Sequence, residues 1–226
     1  MADEVWPEVR AAQRKTRAGE ANAERILDAA LNVFAAYGFR GARIDGIAAA
    51  AGLSKPNLLY YFRTKEELYT AVLARTLDMW LEPLRELDGA HDPETALRAY
   101  IAAKLAYSRS HPAASRLFAL EVIRGAPVIR DFLAGELKEW VEARAAVVQA
   151  WVDQGRMDPV EPAHLFFAIW AATQTYADFD AQIAAVLGRE RQTPADREAA
   201  TEQLVRLVLR GCGLCRSTNS DVKVYL

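Results

Sequence analysis

Between Ser54 and Glu67 the chain reads SKPNLLYYFRTKEE. Two tyrosine hydroxyls, an asparagine amide, an arginine and two lysines fall within these fourteen residues. This is a set of hydrogen-bond donors, with no nucleophile paired to a base. Such a set suits a polyanion, with cations and hydroxyls for phosphates and a short amide for base edges. The surrounding charge agrees. Residues 10–65 hold ten Lys/Arg against four acids, a balance of +6, while the whole chain is −2, so the remainder carries −8. A basic N-terminal quarter on an acidic body fits a nucleic-acid partner for that quarter. Charge alone is equally compatible with an ordinary solvated surface.

No other stretch offers catalytic chemistry. There is no Ser/His/acid set, no glycine-rich phosphate loop and no paired-carboxylate motif, so no enzyme activity is expected. His91, His111 and His164 are scattered. Cys212 and Cys215 form a C-x-x-C with no second pair and no histidine nearer in sequence than His164, so neither a metal nor a redox role is expected, and no cofactor. The charged N-terminus lacks a signal-like apolar run, and no run of about 18 apolar residues occurs. With two cysteines in 226 residues, the expectation is a cytoplasmic protein.

The elements that position the donors read as helices throughout, so the expected fold class is all-α. A first helix over 22–37 carries the stripe Ile26, Leu27, Ala30, Leu31, Phe34, and Gly38 suits its left-handed end. A short second helix covers 44–51, with Arg43 just ahead of it. Gly52 allows a tight turn. Ser54 caps a third helix, and Pro56 falls in its first turn. Thr64 and Glu67 then form a capping box for a long fourth helix to about Leu87. Further helices are expected over 93–109, 113–123, 127–154, 161–187 and 195–211, punctuated by prolines. Residues 1–20 read as a flexible arm and 212–226 as a loose tail.

Two short helices joined by a glycine turn make a helix-turn-helix, whose second helix enters the major groove of DNA. Lys55 and Asn57 stand at its first turn, nearest the bases. Tyr60 and Tyr61 follow a turn later, placed for phosphates, and Lys65 opens the next helix, where free N–H groups favour an anion. Leu58, Leu59 and Phe62 are the core side of this segment. Two adjacent tyrosines cannot both face one core. The expected DNA-binding set is therefore Arg43, Lys55, Asn57, Tyr60, Tyr61 and Lys65.

Residues 22–69 resemble the DNA-binding domain of the TetR family of bacterial repressors. The resemblance rests on Ile26-Leu27-Ala29-Ala30, Phe34, Gly38-Phe39, Ile47-Ala48, Ala51-Gly52-Leu53-Ser54, Leu58, Tyr60, Phe62, Lys65-Glu66 and Leu68. The family's common Tyr-x-His-Phe stands here as Leu59-Tyr60-Tyr61-Phe62, so Tyr60 and Tyr61 are the substitutes for its phosphate contacts. The resemblance implies a head over 21–64, a ligand-binding and dimerisation body over 65–211, and a homodimer through the helices near 161–187 and 195–211. Leu204, Leu207, Val208 and Gly211 give the last helix an apolar stripe for that interface. Two heads about 34–36 Å apart read a double-stranded palindrome.

In the body, Phe166, Ile169, Trp170, Thr173, Gln174, Ala177 and Asp178 recur at three and four and share a helix face. That face turns polar at Thr173, Gln174 and Asp178. Either it bonds across a subunit interface, or it receives a small polar ligand, whose N–H beside C=O would complement a glutamine amide. The stretches SRSHPAASRLFALE and IWAATQTYADF resemble the pyrimidine-utilisation regulators of the family. This implies a pocket at Trp80, Trp170, Thr173, Gln174 and Asp178 for uracil or thymine. Ser108, Arg109, Arg116 and Glu121 are weaker candidates, since charged residues on helix faces are usually solvated. A regulator of the same fold sensing another ligand, and a ligand-independent DNA-binding adaptor, are the alternatives.

Overall fold

The computed structural model describes residues 17–214, so most of the expected arm, most of the tail and Cys215 lie outside the described residues. Those residues are helical, with turns and loops between, and contain no strand. The helices are α1 (Arg17–Gly41), α2 (Ile44–Ala50), α3 (Lys55–Tyr61), α4 (Lys65–Arg85), α5 (Pro93–Ser110) and α6 (Pro112–Ile123). After them come α7 (Arg130–Phe132), a π-helical turn (Leu133–Leu137), α8 (Lys138–Asp153), α9 (Pro162–Asp178), α10 (Asp180–Val186) and α11 (Pro194–Gly211).

The chain forms two compact units. One takes in the chain up to Glu82 together with Ser110–Glu139, and the other Pro83–Arg109 together with Trp140 onward. In the first unit, Ile26, Ala30, Phe34, Ile47, Leu58, Phe62, Leu68 and Val72 build the core of the three-helix head and the start of α4. By compactness, α4 as far as Glu82, together with α6, goes with this head. The second unit is built on Leu97, Ile101, Leu105, Val148, Trp151, Phe166, Ile169 and Leu209. There Arg144 of α8 donates to the carbonyls of Leu84 at 3.0 Å and Arg85 at 2.8 Å, satisfying groups that end α4.

Three local readings need correction. The first helix starts at Arg17, so the last residues of the expected arm are helical, and it runs to Gly41 through a kink at Gly38 (φ 67°, ψ 173°). The single helix expected over 161–187 is two, because the chain leaves helical geometry at Phe179 (φ −115°, ψ 31°). At the start of α4, Thr64 accepts from the Glu67 N–H at 3.0 Å, but Glu67 accepts from the Arg63 N–H at 2.8 Å rather than from that of Thr64. The box thus closes one residue earlier than the usual pattern.

The turn of the helix-turn-helix rests on Gly52. The Gly52 N–H donates to Ala49 and the Leu53 N–H to Ala48, ending α2 in a Schellman arrangement with Gly52 at φ 66°. Arg25 of α1 donates to the Ala51 carbonyl at 2.7 Å, and its Nη2 would lie 2.9 Å from a Cβ at Gly52. The left-handed backbone strains any side chain there, and Arg25 would have to shift from the Ala51 carbonyl to admit one. Gly52→Ala is expected to lower stability by about 1–3 kcal/mol. At Gly46, within α2, a Cβ meets nothing within 4 Å. Gly46→Ala should instead stabilise by roughly 0.5–1 kcal/mol. Urea unfolding of the two variants beside the parent checks both signs.

Candidate functional site

Helix α3 separates its residues by face. Leu58 and Phe62 are fully buried behind it, while Lys55 and Asn57 are exposed and Tyr60 is 80% exposed. Ser54 caps the helix, accepting from the Asn57 N–H. The Asn57 amide is left to point outward one turn before Tyr60 and Tyr61. The Tyr61 ring lies edge-on to that of Tyr60, and its hydroxyl accepts from Asn22 Nδ2 at 3.2 Å. Arg43 is exposed at the residue before α2.

The two lysines of the expected set have other partners. Lys55 pairs with Asp45 at 3.3 Å, with both side chains half or more exposed. Such a pair is worth ~0.2–1 kcal/mol and yields readily to a phosphate. Lys65 is half-buried. Its ammonium donates to the Ala42 carbonyl at 3.2 Å and sits 4.6 Å from the centre of the Phe39 ring. It therefore ties α4 to the end of α1, and its field reaches the head's surface with one donor already engaged.

Behind the head, Tyr69 of α4 meets the rings of Phe34 and Phe39 at 4.9 and 5.0 Å. Its hydroxyl donates at 2.9 Å to Glu121, whose other oxygen accepts the Val128 N–H at 2.6 Å. Burial, and then the hydrogen bond to Glu121, push the Tyr69 phenol upward, so it stays a donor. Glu121 is 2% exposed. This corrects the expectation of a solvated residue, and its spacing with the buried Ala114 and Leu117 is the signal that places it inward. The ion pairs of Arg75 with Glu24 and Asp28 fasten α4 to α1 as well.

For the expected pocket, Trp80 lies buried on α4 in the first unit, whereas Trp170, Thr173, Gln174 and Asp178 lie on α9 in the second. Their polar groups differ in availability. Trp170 Nε1–H donates to the Tyr100 hydroxyl at 2.6 Å, so the indole offers its face rather than its N–H. Thr173 donates to the Ile169 carbonyl at 2.8 Å within its own helix. The Gln174 amide is half-buried, with no hydrogen bond among the described residues.

Tyr100 and Lys104, which the sequence reading did not single out, lie on α5 with Ser108, one of its weaker candidates. Tyr100, Lys104 and Ser108 follow at four-residue spacing and are all buried. They form a polar stripe down an inward face. The Ser108 hydroxyl has no hydrogen-bond partner among the described residues. A cavity of about 450 Å³ adjoins Tyr100, with Leu87, Ala96 and Ala103 among its walls. The signal was the period: Leu97, Tyr100, Lys104 and Ser108 continue one stripe, and a lysine within it reads as an exposed residue by type alone. On α11, Leu204 belongs to the core at 8% exposed, which removes it from the expected interface stripe. Leu207, Phe179, Val186 and Phe167 remain half or more exposed. Cys212 is buried, and that burial, with Asp158 nearby, raises its thiol to about 11, so it is an inert thiol.

Comparison with known proteins agrees with the geometry. Residues 26–72 match the family described as bacterial regulatory proteins, tetR family, and residues 73–215 match the C-terminal region of YcdC-like proteins. The chain is 43% identical over 203 residues to the HTH-type transcriptional regulator RutR of Escherichia coli (strain K12), covering 90% of this chain and 96% of that one. A putative transcriptional regulator from Streptomyces coelicolor superposes with TM-score 0.63 at 28% identity, covering 85% of this chain and 98% of that one. A TetR-like regulator from Rhodococcus sp. RHA1 superposes with TM-score 0.63 at 26% identity, covering 88% and 98%. Among the described residues no helix is long and apolar enough to cross a membrane.

Burial lowers the Lys104 ammonium to about 7. The unfolded side chain titrates near 10.4, so between these values the unfolded state binds more protons and stability rises with pH. Below about 7 both states are protonated and the gain is absent. Melting temperatures at pH 6.5 and pH 9 are expected to show this rise in the parent, and Lys104→Met should flatten it.

Proposed function

The chain belongs to the TetR family of bacterial regulatory proteins, and on that footing we propose that it is a repressor released from a palindromic DNA duplex by uracil or thymine. The observation that carries the DNA half is α3 itself. Its seven residues place Leu58 in the core and expose Lys55, Asn57 and Tyr60 on the outer side. Asn57 reads a base edge. Tyr60, Tyr61, Lys55, Arg43 and Lys65 set the register on phosphates.

The protein acts as a homodimer in the cytoplasm. One short recognition helix reads few base pairs, and a second copy doubles the site. The exposed Phe167, Phe179, Val186 and Leu207 on α9, α10 and α11 supply apolar area for the partner subunit. The division of roles runs at about residue 64, with DNA before it and effector and partner after it. No catalytic step is assigned.

The effector reading rests on α9. Gln174 presents a donor and an acceptor together, which matches the N–H beside C=O edge of a pyrimidine. Trp170 offers a ring face whose orientation is fixed by Tyr100. Thr173 and Asp178 extend the recognition set along the same helix. Release follows only if the effector binds the DNA-free arrangement more tightly than the bound one.

Calorimetric titration with uracil, thymine, cytosine and adenine should give selective binding of the first two, one per subunit. Gln174→Ala is expected to weaken uracil by roughly tenfold or more, in line with loss of buried hydrogen bonds, while leaving DNA affinity intact. No heat from any pyrimidine removes that effector class. In DNA binding, Asn57→Ala should reduce specific affinity by about 1–3 kcal/mol and change non-specific affinity little. Equal loss of both takes the base-reading role away from Asn57.

A further inference from the structure

The first unit holds a second cavity, of about 630 Å³, whose walls come from the end of α1, the first half of α4 and the α6–α7 turn. Its apolar lining is Phe39, Tyr69, Pro127 and Val128. Arg40, Arg124 and Glu66 supply its charges. Glu121 also lines it, but both its oxygens already accept hydrogen bonds, from Tyr69 and the Val128 N–H. The charges open to a ligand are therefore two guanidinium groups and one carboxylate. None of the three makes an ion pair or side-chain hydrogen bond among the described residues.

The backbone is arranged to bring these groups to one hollow. At Gly38 α1 kinks with φ 67°, which turns Phe39 and Arg40 away from the helix line. The same glycine makes room for Arg124, since a Cβ there would lie 3.1 Å from its Nη2. Across the cavity, Glu66 and Tyr69 stand three apart on α4 and share a face. Thr70 adds a half-buried hydroxyl to the same wall.

We propose that this cavity is a binding site for a zwitterionic amino acid with an apolar side chain. The ligand carboxylate lies between Arg40 and Arg124, where a planar guanidinium matches it in fork geometry. Its ammonium meets Glu66. Its side chain covers Phe39 and Tyr69 and excludes water from Pro127 and Val128. A simple anion would leave Glu66 opposed to it, and a simple cation would face two arginines. Only a ligand carrying both charges satisfies all three groups. The site uses none of the residues assigned to the pyrimidine effector. It abuts the first helix of the DNA-binding head, so occupancy bears on the head directly.

Titration calorimetry and thermal shift with L-phenylalanine and L-leucine test the site. 3-Phenylpropionate and phenethylamine serve as analogues lacking one charge. Phenylalanine is expected to bind once per subunit, with each single-charge analogue at least tenfold weaker. Arg124→Ala and Glu66→Gln should each weaken phenylalanine at least fivefold, with melting temperatures near that of the parent. Gln174→Ala should leave it unchanged, so failure of the pyrimidine reading and failure of this one are separable. Three results overturn the proposal: no binding of either amino acid at millimolar concentration, equal binding of 3-phenylpropionate, or full affinity retained in both Arg124→Ala and Glu66→Gln.

Discussion

A carboxylate taken out of water must be met on both oxygens, or it costs ~several kcal/mol. Glu121 is such a group, and much of the first unit is organised by the way it is met. One oxygen takes the Tyr69 hydroxyl from α4, the other the Val128 N–H from the turn after α6. That turn is itself unusual. Gly125 and Ala126 both have positive φ, at 89° and 54°, and the Ala126 N–H donates to the Glu121 carbonyl. Ala126 bears the strain of a left-handed conformation because Glu121 fixes the turn on both its main chain and its side chain. Through Tyr69 the same carboxylate reaches the Phe34–Phe39 ring cluster of α1. The head is thus held to α4 and α6 by a chain of directional contacts.

A regulator needs this kind of junction. A greasy, non-directional contact beneath the head would let the recognition helix wander. A hydrogen-bonded carboxylate and an edge-packed tyrosine have one good geometry. Arg75 with Glu24 and Asp28, and Lys65 with the Ala42 carbonyl, add restraint nearer the surface. An effector need bias only a junction of this kind, by favouring one of two arrangements over the other, to change DNA affinity by orders of magnitude.

The head was legible in the sequence because its signals are local. Gly52, Ser54, Pro56 and Thr64 each dictate a turn or cap within a few residues, and all stand where expected. The body was less so. Glu121 read as a surface residue by type, and Lys104 drew no reading at all. Both are buried, and one partner of Glu121, Tyr69, stands 52 residues away in the chain. The break at Phe179 carries no proline or glycine, so periodicity ran through it. The face of α9 that turns polar at Thr173 and Gln174 was visible as a period. Sequence could not show that the Trp170 N–H and Thr173 hydroxyl already have partners within the protein. Nor did it show the meeting of Arg40, Arg124 and Glu66, which depends on the kink at Gly38.

The step proposed for this head is release from DNA by a pyrimidine. It is tested most directly by fluorescence anisotropy of a labelled duplex that the protein itself selects from genomic fragments, titrated with uracil at fixed salt. Anisotropy is expected to fall to the free-duplex value as uracil saturates, while adenine leaves it unchanged. Anisotropy that stays high at saturating uracil, in protein shown by calorimetry to bind it, would contradict the claim.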